Sequence, residues 1–209
     1  MTNEIPIFPL PNVVLFPNVF LPLHIFEKRY KLMMGDALAG DRIVGMVLLR
    51  KGWNRSPLTN PPVYNVGCSG LITHAEPLSD GRYNIVLQGL EKFRIVDEDY
   101  SRSYRLAKIE PIAEDEIDTT GSELSTQRQR LEDLLDQRFA ATGTDSKISR
   151  DMTDSDLINA LAQYLEFEPV EKQALLQCNG LIERYRSLID LLEMQILLTE
   201  HPSQQSQVQ

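Results

Sequence analysis

Five prolines near the start of the chain limit what it can fold into. They are Pro6, Pro9, Pro11, Pro17 and Pro22, in the stretch IPIFPLPNVVLFPNVFLPLHIFEKRY. A proline has no backbone N–H and clashes with the preceding helical turn, so no helix crosses this segment. The residue before each proline is pushed toward extended geometry as well. Val13, Val14 and Val19 beside Phe16 and Phe20 add β-branched and aromatic strand formers. The segment therefore predicts Pro-punctuated β-structure closing one side of a barrel or small sandwich. Any strand in IPIFPL should be short and lie at an edge or bulge. The stretch is apolar enough to suggest a leader, but it lacks a basic start and an Ala-x-Ala cleavage site. No window approaches the ~20 apolar residues of a membrane helix.

The rest of the first half alternates as strands do. One helix interrupts it: from Glu27 to Ala39 the apolar residues Tyr30, Met33, Met34, Ala37 and Leu38 share a face, and Gly40 suits a left-handed stop. RIVGMVLL, Arg42 to Leu49, is an apolar run of strand length buried on both faces. YNVGCSGLITHAEPL and RYNIVLQGLEKFRIV read as partner strands across the Asp80-Gly81 turn, with Gly89 a candidate bulge. YRLAKIEPI ends a set of about six strands, which with one helix implies a small, strongly bent β-structure.

Beyond Pro111 the pattern becomes helical. Leu124, Leu131, Leu134, Leu135 and Phe139 recur at helical spacing after a cap at Thr120 or Ser122. Thr153 with Asp156 resembles a capping box, Pro169 suits a first helical turn, and Leu181, Tyr185, Leu188, Leu192 and Ile196 form a long amphipathic stripe. The charge changes at the same place. Residues 1–110 carry 13 basic and 11 acidic side chains, a balance of +2; residues 111–209 carry 8 and 19, a balance of −11. The expected organisation is α+β: a β-barrel-like subdomain over 1–113, a helical subdomain over 114–200 and a disordered tail over 201–209. The acidic half repels phosphate backbones and the other half holds no basic cluster, so neither nucleic acid nor membrane is expected as a partner. Two distant cysteines, Cys68 and Cys178, read as reduced, partly buried thiols in preference to a disulfide, with the cytoplasm as the default compartment.

At this point the sequence resembles a known family. The Pro-rich opening with FPL and LFP, the VG strand, the L-x-DG hairpin, the GLEKFRI strand and the later SDLINALAQYLEFEPVEKQALLQ look like the N-terminal, substrate-recognising domain of Lon protease. The resemblance covers roughly residues 5–198 and rests on several motifs in order. It implies a PUA-like pseudo-barrel with one embedded helix, followed by a C-terminal α-helical bundle. It also implies a module that recruits unfolded or tagged polypeptides, known both within Lon and as a stand-alone bacterial protein.

The catalytic signatures of full-length Lon are not in this sequence. No G-x-x-x-x-G-K-[ST] loop cradles a phosphate, and GCSG at Gly67–Gly70 is not a nucleophile elbow. His24, His74 and His201 show no metal-ligand spacing, and EDEID at 114–118 reads as a solvated linker rather than a calcium loop. Neither catalysis, cofactor nor metal is expected. The candidate polypeptide-binding residues are Phe16, Phe20, Phe26, Met33, Met34 and Trp53. Trp53 either anchors a peptide or covers a barrel end; the methionines either line a soft groove or fill the core. The expected function is a non-catalytic polypeptide-binding module, with an apolar groove between barrel and helices, presenting clients to a protease or chaperone. The alternative is an assembly protein that self-associates through its helical half. The expected state is a monomer or weak homo-oligomer.

Overall fold

In the computed structural model, which describes residues 4–52, 60–113, 122–142 and 152–200, the opening segment forms two strands, β1 (Glu4–Leu10) and β2 (Phe20–Ile25). The chain continues through α1 (Lys28–Ala39), β3 (Ile43–Leu48), β4 (Val66–Pro77), β5 (Tyr83–Asp99) and β6 (Arg105–Pro111). The helices α2 (Ser122–Thr142), α3 (Asp154–Tyr164), α4 (Pro169–Gln177) and α5 (Leu181–Glu200) follow. This is the α+β class expected.

One expectation needs correcting: β1 is not an edge strand. It runs antiparallel to β6 and parallel to β3, yet each neighbour covers only half of it. β6 pairs with Glu4–Ile7 and β3 with Ile7–Leu10. The Leu49 N–H donates to the Leu10 carbonyl at 2.9 Å, so even-numbered residues turn their backbone groups toward β3 and odd ones toward β6. Pro6 therefore faces β3 before that pairing begins, and Pro9 faces β6 after that pairing has ended. Neither missing donor breaks a ladder bond, and two prolines fit an interior strand.

The sheet order is β2-β5-β4-β3-β1-β6, and β5 also pairs with β6. At 17 residues, β5 is long enough to serve three partners. Its first part pairs with β2, its last part with β6, and β4 lies along most of its length. Five strands thus close into a ring, and β2 hangs from β5 outside it. Register shifts place an extra β5 residue between Gly89 and Lys92, and an extra β4 residue at Thr73. Such bulges increase local twist and let a small barrel bend.

Ile5, Ile7, Val47 and Phe93 lead a buried cluster drawn from four of these strands. The Phe93 ring fits because two facing positions are glycine: a Cβ on Gly45 would lie 2.9 Å from its Cζ, and one on Gly67 2.7 Å. Gly89 allows a closer approach still. A Cβ there would stand 2.0 Å from the Phe16 carbonyl oxygen, because the chain at 16–19 lies directly on β5. Asn18 N–H donates to the Gly89 carbonyl, and Gly89 N–H to that of Val19, each at 2.9 Å.

The helix α1 buries Tyr30, Met33, Met34 and Ala37, and Tyr30 packs on Phe8 with ring centroids 4.3 Å apart. Its stop differs from expectation. Gly40 has φ −106°; the left-handed residue is Arg42, at φ 65°. The N–H groups of Gly40 and Arg42 both reach back to the Ala37 carbonyl, at 3.1 and 3.0 Å, so a single acceptor closes the helix.

Close contacts divide the chain into two compact units, residues 1–113 with 159–177, and residues 114–158 with 178–209. Thus the stretch from Asn159 to Gln177, read from sequence as part of one helical subdomain, groups with the strands. Three polar side chains account for this. Gln163 Oε1 accepts the Phe16 N–H at 3.2 Å, Tyr164 donates its hydroxyl to the Phe20 carbonyl at 2.9 Å, and Gln173 Nε2 donates to the Val66 carbonyl at 3.0 Å.

In the second unit α2 and α5 pack side by side. Glu123 pairs with Arg186, and Arg130 with Glu193 at 2.5 Å. Partners advance by seven residues on both helices, so the helices run parallel. Leu131, Leu135, Tyr185, Leu188 and Leu192 are fully buried there. The Thr153 cap is present: its Oγ1 accepts the Asp156 N–H at 3.1 Å, while its own hydroxyl donates to the Asp156 carboxylate at 2.8 Å. Among the described residues no helix is long and apolar enough to cross a membrane. Cys68 and Cys178 are buried and not joined in a disulfide.

Candidate functional site

The six candidate residues separate by burial. Phe16, Met33 and Met34 are sealed in the core, so they are removed as surface anchors: Phe16 is locked under the Gly89 contact, and both methionines lie on the inner face of α1. Trp53 lies outside the described residues. Phe20 and Phe26 remain, 49% and 62% exposed, at the two ends of β2.

Strand alternation explains the pair's surroundings. Along β2, Leu21, Leu23 and Ile25 turn inward while Phe20, Pro22 and His24 turn to solvent. The residues opposite on β5 are Gln88, Val86 and Asn84, and β4 continues the row with His74 and Glu76 beyond Val86 and Asn84. Together these form a shallow, open depression bounded by Pro22, His24, His74, Glu76, Asn84 and Val86. Its polar side is ordered. His24 Nδ1 and Asn84 Oδ1 lie 2.8 Å apart, Asn84 Nδ2 donates to Glu76 at 3.0 Å, and His24 Nε2 lies 3.2 Å from Arg82. The His24 ring also stacks with Phe26, centroids 6.3 Å apart. His24 and His74 are fifty residues apart in sequence, so the strand pattern alone did not reveal that they line one surface.

The backbone of β2 matters as much as its side chains. Gly89 N–H bonds to the Val19 carbonyl, so odd-numbered residues of β2 face β5 and even-numbered ones face away. Tyr164 takes the outward Phe20 carbonyl, in agreement with that parity. The missing N–H of Pro22 points outward, which is why a proline fits the strand.

A second cluster holds no open chemistry. Arg29, Arg102 and Arg105 line a small cleft with Tyr30, Tyr100 and Tyr104. Each guanidinium is already paired: Arg29 with Glu27 at 3.0 Å, Arg102 with Asp36 at 2.9 Å, Arg105 with Glu98 at 3.2 Å. Tyr104 also donates to Asp36 at 2.5 Å; burial, then that carboxylate, pushes its phenol above the ordinary tyrosine range. These links tie α1 to the turn before β6. Among the described residues, no group of three or more His, Cys, Asp or Glu side chains could hold a metal ion.

Comparison with known proteins agrees with this architecture. Residues 4–194 match the model of the ATP-dependent protease La (LON) substrate-binding domain. The Lon protease of Syntrophus aciditrophicus is 30% identical over 220 residues, covering 98% of this chain and 27% of the relative. That of Flavobacterium johnsoniae is 28% identical over 201 residues, covering 88% and 24%. The chain thus spans about a quarter of the length of these curated relatives. Two solved structures share the fold. The N-terminal domain of the Mycobacterium avium complex Lon protease superposes with a TM-score of 0.68 at 16% identity, over 91% of this chain and 98% of that one. A Lon N-terminal domain protein from Xanthomonas campestris gives 0.58 at 23% identity, with the same coverages. The model that matches is that of the substrate-binding domain, over residues 4–194 of this chain. The chain belongs to the Lon substrate-binding domain family.

Proposed function

We propose that this chain binds polypeptide segments without catalysis, through the outer surface of β2, β5 and β4, and so recruits or regulates clients of proteolysis. The observation that carries the reading is the placement of Phe20 and Phe26. Two aromatic side chains stand exposed, one at the start of β2 and one directly after its end, on either side of Pro22 and a ledge of fixed polar groups. The surface lies wholly within the first unit. Covering the exposed part of each ring contributes about 1 kcal/mol, and the His24–Asn84–Glu76 chain orients polar groups of the ligand. The two buried thiols fit a reducing compartment, and a cytoplasmic location is part of the proposal.

The test uses reduced, carboxymethylated α-lactalbumin, which cannot refold, with binding followed by fluorescence anisotropy. The intact chain should bind it, and Phe20→Ser combined with Phe26→Ser should weaken binding at least tenfold while the circular dichroism spectrum is retained. Equal binding by the double variant would refute the assignment of the surface; no binding by the intact chain would refute the function.

The assembly reading needs a different surface from the one expected. Tyr185, Leu188 and Leu192 of the α5 stripe are spent against α2 inside the second unit. The exposed apolar residues are Met194, Leu197 and Leu198, at the end of the helix. Sedimentation over a concentration series separates this reading from the first: association lost on Leu197→Glu would favour it.

A further inference from the structure

We infer that the polypeptide is held as an added β-strand, extended along the outer edge of β2. This rests on the polypeptide-binding reading above and states how the ligand is read. Among the described residues β2 is paired only through β5. Its outward backbone groups belong to Phe20, Pro22 and His24, and among the described residues the one hydrogen bond reaching them is that of Tyr164 to the Phe20 carbonyl. What remains is the donor of Phe20, an acceptor on Pro22, then a donor and an acceptor on His24. Only another extended backbone matches that sequence of groups along one line.

The proline argues for a foreign chain over a second copy. In an antiparallel pair of two β2 strands with Pro22 opposite Pro22, neither side supplies an N–H and two carbonyls face each other. An incoming segment without proline at that place donates to the Pro22 carbonyl and exchanges both bonds with His24 two residues on. Pro22 thus discourages edge-to-edge association of the protein with itself, a common use of edge prolines, while leaving the edge open to a substrate. Tyr164 sets one end of the track by occupying the Phe20 carbonyl. Side chains of the incoming strand on the Phe20 and Pro22 face meet apolar neighbours, so the favoured ligand alternates apolar and polar residues in an extended, unfolded segment.

The probe is a dye-labelled decapeptide alternating valine and threonine, with terminal lysines for solubility, measured beside carboxymethylated α-lactalbumin. N-methylation of alternate amides removes donors of one parity at a time. Methylating the set that faces β2 should weaken binding at least tenfold; methylating the other set should change it less than threefold. On the protein, His24→Pro removes the outward N–H and leaves the β5 ladder intact. It should weaken binding at least tenfold more than His24→Ala, which loses the same imidazole but keeps the N–H. Should His24→Pro fail to fold, the two methylated peptides still decide the matter. If both are tolerated, if His24→Pro weakens binding no more than His24→Ala, or if only the unfolded protein binds, strand addition is overturned while polypeptide binding stands. If neither probe binds, the functional reading falls and takes this inference with it. A dimer dissociated by His24→Pro would assign the edge to a second copy and also overturn it.

Discussion

Gly89→Ala should damage the first unit more than a methyl group ordinarily does. The added Cβ would stand 2.0 Å from the Phe16 carbonyl oxygen, 2.9 Å from its carbon and 3.3 Å from the Pro17 Cα. All three are backbone atoms, so no side-chain rotation relieves the contact. The segment 16–19 must lift off β5, breaking the two 2.9 Å bonds between Gly89 and Asn18 and Val19 at about 1 kcal/mol each. Phe16, fully buried, is dragged with it, and overpacking of this kind costs about 1–3 kcal/mol more. The strand propensity regained by replacing glycine offsets about 0.5–1 kcal/mol. The net loss is about 2–4 kcal/mol. Gly35→Ala is the matched control: it lies inside α1, with nothing within 4 Å of the new methyl, and should gain about 0.5–1 kcal/mol. Urea unfolding followed by far-ultraviolet circular dichroism, with slopes compared as well as midpoints, measures both. A Gly89→Ala chain within about 0.5 kcal/mol of the parent would refute the close-approach argument.

Two further substitutions test other parts of the fold. Tyr185 is buried and donates to Asp154 Oδ1 at 3.0 Å; burial first, then the Asp154 charge, holds its phenol well above the ordinary value of 10.0. The unfolded chain therefore loses this proton first, so the contribution is complete below about pH 10 and declines above it by about 1.4 kcal/mol per pH unit. Tyr185→Phe should flatten the alkaline fall in urea stability, and equal slopes in both proteins would contradict the assignment. Inside the barrel, the atoms nearest a Cβ on Gly45 would be side-chain ones, Ile5 Cδ1 and Phe93 Cζ at 2.9 Å and Ile7 Cγ2 at 3.1 Å. Gly45→Ala and Phe93→Leu should each destabilise, while the double variant costs at least about 1 kcal/mol less than their sum. Strict additivity would show that the two positions do not share space.

The number and type of elements were legible because they depend on local periodicity. β3 is short, apolar and bounded, and α1 repeats Tyr30, Met33, Met34 and Ala37 on one face. The Asp80-Gly81 turn announces the hairpin, with Gly81 at φ 75°. What local pattern did not carry was which residues remain at the surface. Phe16 and Phe20 look alike in a Pro-rich run, yet one is sealed under β5 and the other stands outside the ring. Gln163, Tyr164 and Gln173 bond to the backbone of Phe16, Phe20 and Val66, each more than a hundred residues away, and no local pattern signals such partners.

From the sequence alone come the fold class, the helix-excluding opening, the acidic second half, the missing catalytic motifs and the family resemblance. Each depends on residue identity and near-neighbour spacing, which folding does not alter. Tertiary structure alone decided that β1 is interior, that α2 and α5 run parallel, and that His24 and His74 line one surface beside an open strand edge. Those features depend on which distant segments pair and in which register. A one-residue slip exchanges every inward side chain of a strand for an outward one, so no reading of a single segment can supply them.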